Sequence, residues 1–200
     1  MWDTNKTEIK ITLIRHGKTY ANEQKLYYGF SDINLSNNGI DQLNILKKQI
    51  KYEKATLFVT SGLKRTNQTL KILFGNVKYI EDKSFKEMNF GDFELKSYEN
   101  LKHNKDYLKW IENIEKNEIP NGETKKQFEN RVINGFDNLL KNCIENEIKD
   151  VVIVCHSGVI SVIMMYLFSL ENKTFYDWLP QCGRGYTIFF INKNKYYKKL

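Results

Sequence analysis

Arg15, His16, Arg65 and His156 all stand just past the end of an apolar run. Burying apolar surface favours a strand, whereas a buried arginine or histidine costs free energy unless a partner satisfies it. Such residues at strand ends either leave the core for solvent or face a ligand. Two arginines and two histidines converging on one cleft would suit a dianion. Phosphate is the natural occupant, because guanidinium forks meet its oxygens with paired hydrogen bonds. Arginine is scarce here, with four among 31 basic residues, so its placement carries information. A histidine beside arginines resists protonation and can stay a neutral nucleophile near neutral pH. It could attack phosphorus and hold a phosphohistidine, dividing one hard step into two. The other cations would stabilise charge on the equatorial oxygens. A leaving alkoxide also needs an acid within about 3 Å.

Those residues need strands and helices to hold them. EIKITLIR (8–15) reads as a buried strand, and ATLFVTS (55–61) and NVKYI (76–80) as two shorter ones. Ser36 is a plausible N-cap for a helix over 37–50 with Ile40, Leu43, Leu46 and Ile50 on one face. LKRTNQTLKILFG reads as a helix closed by Gly75, and TKKQFENRVINGFDNLLKNCI as a long amphipathic helix. Arg131, on that long helix, is expected to lie outside the site. KDVVIVCHSG reads as a buried strand with a sharp exit, VISVIMMYLF as a buried helix, and GYTIFFINKN and KYYKKL as closing strands. Strands alternating with helices predict an α/β layered domain with a largely parallel sheet. In such sheets ligands sit beyond the carboxyl ends of strands. Free N–H groups at the helix starts near Leu63 and Gly158 are expected to add to the anion site.

Six blocks in order, LIRHGKTYAN, YYGFSDINLSNNGIDQL, SGLKRTNQTL, FKEMNFGDFE, NGETKKQFENRV and VVIVCHSGVI, resemble the histidine phosphatase superfamily of phosphoglycerate-mutase-like proteins. The resemblance spans nearly the whole chain. It implies a three-layer α/β/α sandwich with a mostly parallel mixed sheet and no metal or other cofactor. It implies that His16 is the phosphorylated nucleophile, with His156 beside it and Glu87 as the acid and base. Arg15, Asn22, Arg65, Ser157 and Gly158 would bind the phosphate, and Tyr28 and Gly29 would stand at the substrate mouth. Asp92 and Glu94 are the nearest rivals to Glu87. Two departures bear on substrate: Lys18 stands where the family usually has Glu or Gln, and Phe93-Glu94-Leu95 where an aromatic residue and Glu-Gly are usual.

Within the family, mutases are usually longer, so 200 residues look like the phosphatase side. YYGFSDINLSNNGIDQ with GRGYTIFF looks most like the α-ribazole phosphatases. A broad-specificity metabolite phosphatase, a phosphoglycerate mutase and a non-catalytic phospho-ligand binder are the alternatives. The binder would not need His16, His156 and Glu87 together. The net charge of +7 raises nucleic acid as a partner, but the lysines are scattered among acids, as on a solvated face. No H-x-x-x-H or carboxylate-rich spacing suggests a metal hydrolase. The expected partner is therefore a small phosphorylated metabolite, not nucleic acid or membrane, and the protein is expected to be a monomer or homodimer.

The expected organisation is one domain over 1–200 with a variable, lid-like segment around 92–123. His103 reads as exposed, and Tyr98, Tyr107 and Trp110 as either lid or core. Three cysteines without C-x-x-C spacing suggest neither a disulfide framework nor a zinc site, and the default compartment is a reducing cytoplasm. The start, MWDTNKTEIK, shows no basic stretch followed by an apolar one, so no signal peptide is read there.

Overall fold

The computed structural model describes residues 8–192 and 194–200. Residues 1–7, which carry most of the N-terminal reading, lie outside the described residues. In chain order the elements are β1 (Ile9–Arg15), α1 (Tyr20–Glu23), β2 (Leu26–Tyr27), α2 (Asn37–Gln49), β3 (Leu57–Thr60) and α3 (Lys64–Phe74). There follow β4 (Ile80–Glu81), β5 (Lys96–Ser97), α4 (Tyr98–Leu101), α5 (Lys105–Glu112), α6 (Lys125–Glu145), β6 (Asp150–Cys155), α7 (Ser157–Leu167), β7 (Gly185–Ile191) and β8 (Asn194–Lys199).

Six strands form one sheet in the order β4-β3-β6-β1-β7-β8. The first four are parallel, β7 runs against β1, and β8 runs against β7. The parallel strands are covered on both faces, which is why β1 and β6 read as near-continuous apolar runs. Ile11, Leu13, Val151 and Ile153 share a cluster with Phe128, Val132 and Phe136 of α6 and Ile160 of α7. Ile14, Phe58, Val152 and Val154 share the opposite cluster with Leu43 of α2 and Leu70 and Leu73 of α3. Alternate residues of each strand therefore feed opposite layers, giving the expected α/β/α sandwich.

Local signals set most boundaries. Ser36 Oγ accepts from the Gly39 N–H and starts α2. Thr124 and Gln127 form a reciprocal capping box at α6. Gly75 closes α3 at φ 78°, a backbone state that glycine adopts without strain. The expected strand NVKYI shrinks to Ile80–Glu81. It pairs only with Val59 and Thr60, the last two residues of the four-residue β3.

The register aligns the ends that matter. Ile14 pairs with Val154, and Val154 with Thr60. The chain thus leaves three neighbouring parallel strands at one level, at Arg15-His16, at Ser61 and at His156. Over them lies the segment 92–123. β5 pairs antiparallel with β2, tying that segment to the loop after His16. Phe93, Tyr107 and Trp110 are buried in the main core, whereas Tyr98 and His103 are exposed. Among the described residues, no helix is long and apolar enough to cross a membrane.

Candidate active site

A cavity of about 900 Å³ opens at these strand ends. Its floor carries Arg15, His16, Asn22, Glu87, His156 and Ser157; Tyr27, Phe90, Trp110 and Tyr176 are among the aromatic residues of its wall. The His16 and His156 ring centroids are 5.1 Å apart, with the rings steeply inclined.

His16 is held by its own backbone neighbour. Its Nδ1 lies 2.7 Å from the Gly17 carbonyl oxygen. A carbonyl can only accept, so the proton sits on Nδ1 and Nε2 keeps a free lone pair. Burial, reinforced by the charges of Arg65 and Arg15, pushes the His16 imidazole well below its ordinary range. The ring is therefore neutral and nucleophilic at neutral pH. His156 is pushed down in the same way, by burial and by the charges of Arg65, Arg15 and Arg131.

Three nitrogens around His16 are buried without a hydrogen-bond partner among the described residues: Arg15 Nε, Arg65 Nε and His156 Nδ1. Leaving such groups unpaired costs roughly 1–3 kcal/mol each, and more when charged. Arg15 Nη1 donates to the Pro180 carbonyl at 2.8 Å, which fixes the guanidinium from behind. Arg65 does not line the cavity. It is fully buried under Tyr28, with its guanidinium carbon 4.8 Å from that ring's centroid. Its Nη1 and Nη2 donate to the Ser31 and Gly29 carbonyls. Its charge still acts on both histidines.

Asn22 and Tyr28 form one unit. Asn22 Oδ1 accepts from the Thr19 N–H at 3.0 Å and the Tyr28 hydroxyl at 2.7 Å. The amide nitrogen is then the group left to donate toward the cavity. Tyr28 lines the cavity, but Gly29 does not. Gly29 packs so closely on the Met88 backbone that an added Cβ would lie 1.6 Å from the Met88 carbonyl oxygen. It joins two loops and does not stand at the mouth.

Glu87 is joined to the first turn of α7. Its Oε2 accepts from the Gly158 N–H at 2.9 Å and its Oε1 from the Met88 N–H at 3.1 Å. Burial nevertheless raises its carboxyl above the ordinary range, against the lowering pull of those hydrogen bonds and of Arg15 and Arg65. The expectation of free helix N–H groups needs correction here. The Gly158 N–H is taken by Glu87, and the Lys64 N–H at the start of α3 by Asp32 Oδ1 at 2.7 Å. Ser157 and Gly158 do line the cavity, as expected.

The rivals of Glu87 have other work. Glu94 Oε1 accepts from the N–H groups of Gly29, Phe30 and Phe90, and Glu94 Oε2 from Ser31. It clamps the loop that carries Tyr28. Asp92 is exposed and accepts from Asn121 Nδ2. Neither lines the cavity.

Arg131 does not line the cavity, in keeping with the sequence reading, but it supports the site from behind. It meets Glu123 through Nε and Nη2, both at 2.7 Å. Its Nη1 donates to the Ser84 and Lys86 carbonyls and its Nη2 to the Glu87 carbonyl. The residue thus anchors the strand of chain that presents Glu87. The scarcity of arginine was the signal that could have found it. A lysine cannot reproduce this fan of donors. Arg131→Lys is expected to cost about 2–3 kcal/mol of stability, from charged hydrogen bonds lost. The melting temperature should fall by roughly 5 °C or more. A thermal melt indistinguishable from that of the unmodified protein would show that the fan contributes nothing.

The profile of the histidine phosphatase superfamily (branch 1) matches residues 11–195. The adenosylcobalamin/alpha-ribazole phosphatase of Salmonella typhimurium is 26% identical over 182 residues, covering 88% of this chain and 87% of its own. The crystal structure of the alpha-ribazole phosphatase from Shigella flexneri superposes with a TM-score of 0.85 at 25% identity, covering 96% of each chain. A phosphoglycerate mutase from Bacillus anthracis shares the fold at a TM-score of 0.80 and 18% identity, covering 100% of this chain and 95% of its own. With the profile spanning all but the ends of the sequence, and the paired histidines standing where its strands finish, this chain belongs to the histidine phosphatase superfamily.

Proposed function

We propose that the protein is a phosphomonoester hydrolase working through a phosphohistidine at His16, and that its substrate is α-ribazole 5′-phosphate. The observation that carries this reading is the division of one cavity into a polar floor and an aromatic wall. The phosphoryl group would rest on the floor. Arg15 and His156 would turn their unpartnered nitrogens to its oxygens, with the Asn22 amide as a further donor and Arg65 adding its charge from beneath Tyr28. His16 Nε2 would attack phosphorus, the P–O ester bond would break, and Glu87 would protonate the departing oxygen. Water would then attack the phosphohistidine, giving its proton to Glu87 and releasing phosphate.

The wall suits the alcohol. Tyr27, Phe90, Trp110 and Tyr176 offer faces and edges to a flat ring such as benzimidazole. The segment 92–123 supplies Trp110 and Ile114 to this wall and is read as a substrate lid on a single domain. Three free cysteines, two of them buried, suit a reducing cytoplasm.

The test is a panel of phosphomonoesters in excess EDTA, with α-ribazole 5′-phosphate, 3-phosphoglycerate and a simple alkyl phosphate. Release of phosphate with the highest kcat/KM on α-ribazole 5′-phosphate is expected. Interconversion of phosphoglycerates without net hydrolysis would replace hydrolase by mutase. Equal kcat/KM across the panel would leave a broad-specificity phosphatase. Activity lost to EDTA and restored by a divalent ion would overturn the proposed chemistry.

A further inference from the structure

His156 shares the floor with His16, but its ring is held through the other nitrogen. Its Nε2 lies 2.9 Å from Ser61 Oγ. The next bonds decide which atom donates. Thr66 Oγ1 lies 2.7 Å from the Leu63 carbonyl oxygen, and a carbonyl can only accept. The one hydroxyl proton of Thr66 is therefore committed there. Ser61 Oγ lies 3.1 Å from Thr66 Oγ1, so the Ser61 proton goes to Thr66. Ser61 has only lone pairs left, one of which faces the Leu63 N–H at 3.5 Å. The other must accept from His156, which places the His156 proton on Nε2. Its Nδ1, buried and without a partner among the described residues, is then a bare lone pair in the neutral ring.

The two histidines are thus set in opposite tautomers. His16 carries its proton on Nδ1 and presents Nε2, the right state for attack on phosphorus. His156 carries its proton on Nε2 and presents Nδ1, the wrong state for contact with a phosphoryl oxygen, which also offers only lone pairs.

We infer that Ser61, itself oriented by Thr66, is a positioning residue that holds His156 as its Nε2–H tautomer, so that a phosphoryl dianion binds beside His156 only with uptake of one proton at Nδ1. The proton comes from solvent and no other bond changes: free protein, dianion and one proton give a complex with an imidazolium at position 156. The Nδ1–H then donates to a phosphoryl oxygen while Nε2–H still donates to Ser61. Charged groups on every side fit this order of events. Arg15 from β1, Arg65 from α3 and Arg131 from α6 all disfavour a cation at His156, beside the neutral His16 ring, before the ligand arrives. Glu87, which accepts from Gly158 two residues on, lines the same cavity, as do Glu112 and Glu115. A bound dianion reverses the sign of the local field. The same uptake makes His156 a poor nucleophile in the complex and leaves attack to His16.

The inference rests on the proposed phosphoryl site for its ligand, but its first test needs none. The chain has three histidines, His16, His103 and His156, so long-range proton–nitrogen spectra of the free protein can be assigned with two variants, His103→Gln and His16→Gln. An Nε2–H tautomer is expected at His156 and an Nδ1–H tautomer at His16. An Nδ1–H tautomer at His156 overturns the inference. The second test titrates inorganic phosphate calorimetrically into the protein in buffers of different ionisation enthalpy, at a pH where the probe is a dianion. Uptake of about one proton per phosphate is expected. Thr66→Val removes the acceptor of the Ser61 proton, so Ser61 can donate to Nε2 and His156 can keep its proton on Nδ1. Uptake should then fall toward zero, as it should in Ser61→Ala, whereas Ser61→Thr should retain it. Zero uptake in the unmodified protein, or full uptake in Thr66→Val, defeats the inference even if the protein hydrolyses phosphomonoesters. A protein with the expected tautomers that hydrolyses none defeats the proposed function and leaves the tautomer assignment standing.

Discussion

His16→Ala is expected to abolish turnover and, with it, any phosphorylated protein. Loss of a nucleophile in covalent catalysis lowers kcat on the order of 10⁶-fold. No neighbour can replace it. His156 is the nearest imidazole, at a centroid separation of 5.1 Å, but it is anchored to Ser61 through Nε2. The phosphate pocket itself should survive, because Arg15 and Arg65 are fixed by the carbonyls of Pro180, Ser31 and Gly29 and not by His16. His16→Ala should therefore still bind inorganic phosphate while failing to turn over. The direct readout is brief incubation with phosphorus-labelled substrate and an alkaline quench, which preserves a phosphohistidine. Label is expected on His16 in the unmodified protein and nowhere in the variant. A variant that turns over near the original rate, or label on another residue, removes His16 from the chemistry.

The strands and helices that place His16 were legible because their signals are local. Ser36 and Gly75 mark helix ends in the sequence and do so in the fold. The buried runs of β1 and β6 could hardly be anything but interior parallel strands. The convergence of Arg15, His16 and His156 followed from counting strands. Other relations were hidden because long-range hydrogen bonds leave no periodicity. Arg131 reads as one more cation on an amphipathic helix, yet it reaches carbonyls more than forty positions away in the chain at Ser84, Lys86 and Glu87. Glu94 reads as a rival acid, but four backbone N–H groups hold it in place. The short elements of 92–123 carry too few turns for a hydrophobic period, so lid and core could not be told apart. Trp110 is buried in the main cluster and also lines the cavity.

Glu87→Gln should separate chemistry from binding. The glutamine keeps the shape of the side chain, and its amide oxygen can still accept from the Gly158 N–H. It cannot transfer a proton. General acid catalysis is worth about 10²–10⁴-fold, and kcat on an alkyl phosphate should fall by that factor. The sign of the pH dependence follows from the direction of the shift. Burial raises the Glu87 carboxyl, and a bound phosphate dianion nearby raises it further, so the acid form is present at low pH and is lost as pH rises through that raised value. With an alkyl phosphate the unmodified protein should therefore lose rate on the alkaline side, and Glu87→Gln should lose that limb. An activated aryl phosphate has a leaving group that needs little protonation. Its burst of phenol should survive in Glu87→Gln, followed by a slow steady state, because dephosphorylation still needs a base for water. Gly158→Ala gives an independent approach to the same group, since the added Cβ would lie 2.3 Å from Glu87 Oε1 and must displace the carboxylate. It should reproduce the alkyl defect while the aryl burst persists. If Glu87→Gln slows alkyl and aryl bursts equally, the carboxyl is not the acid. Neither Asp92 nor Glu94 lines the cavity, so the proton would then have to come from solvent, from His156, or from Glu112 or Glu115, which do line it.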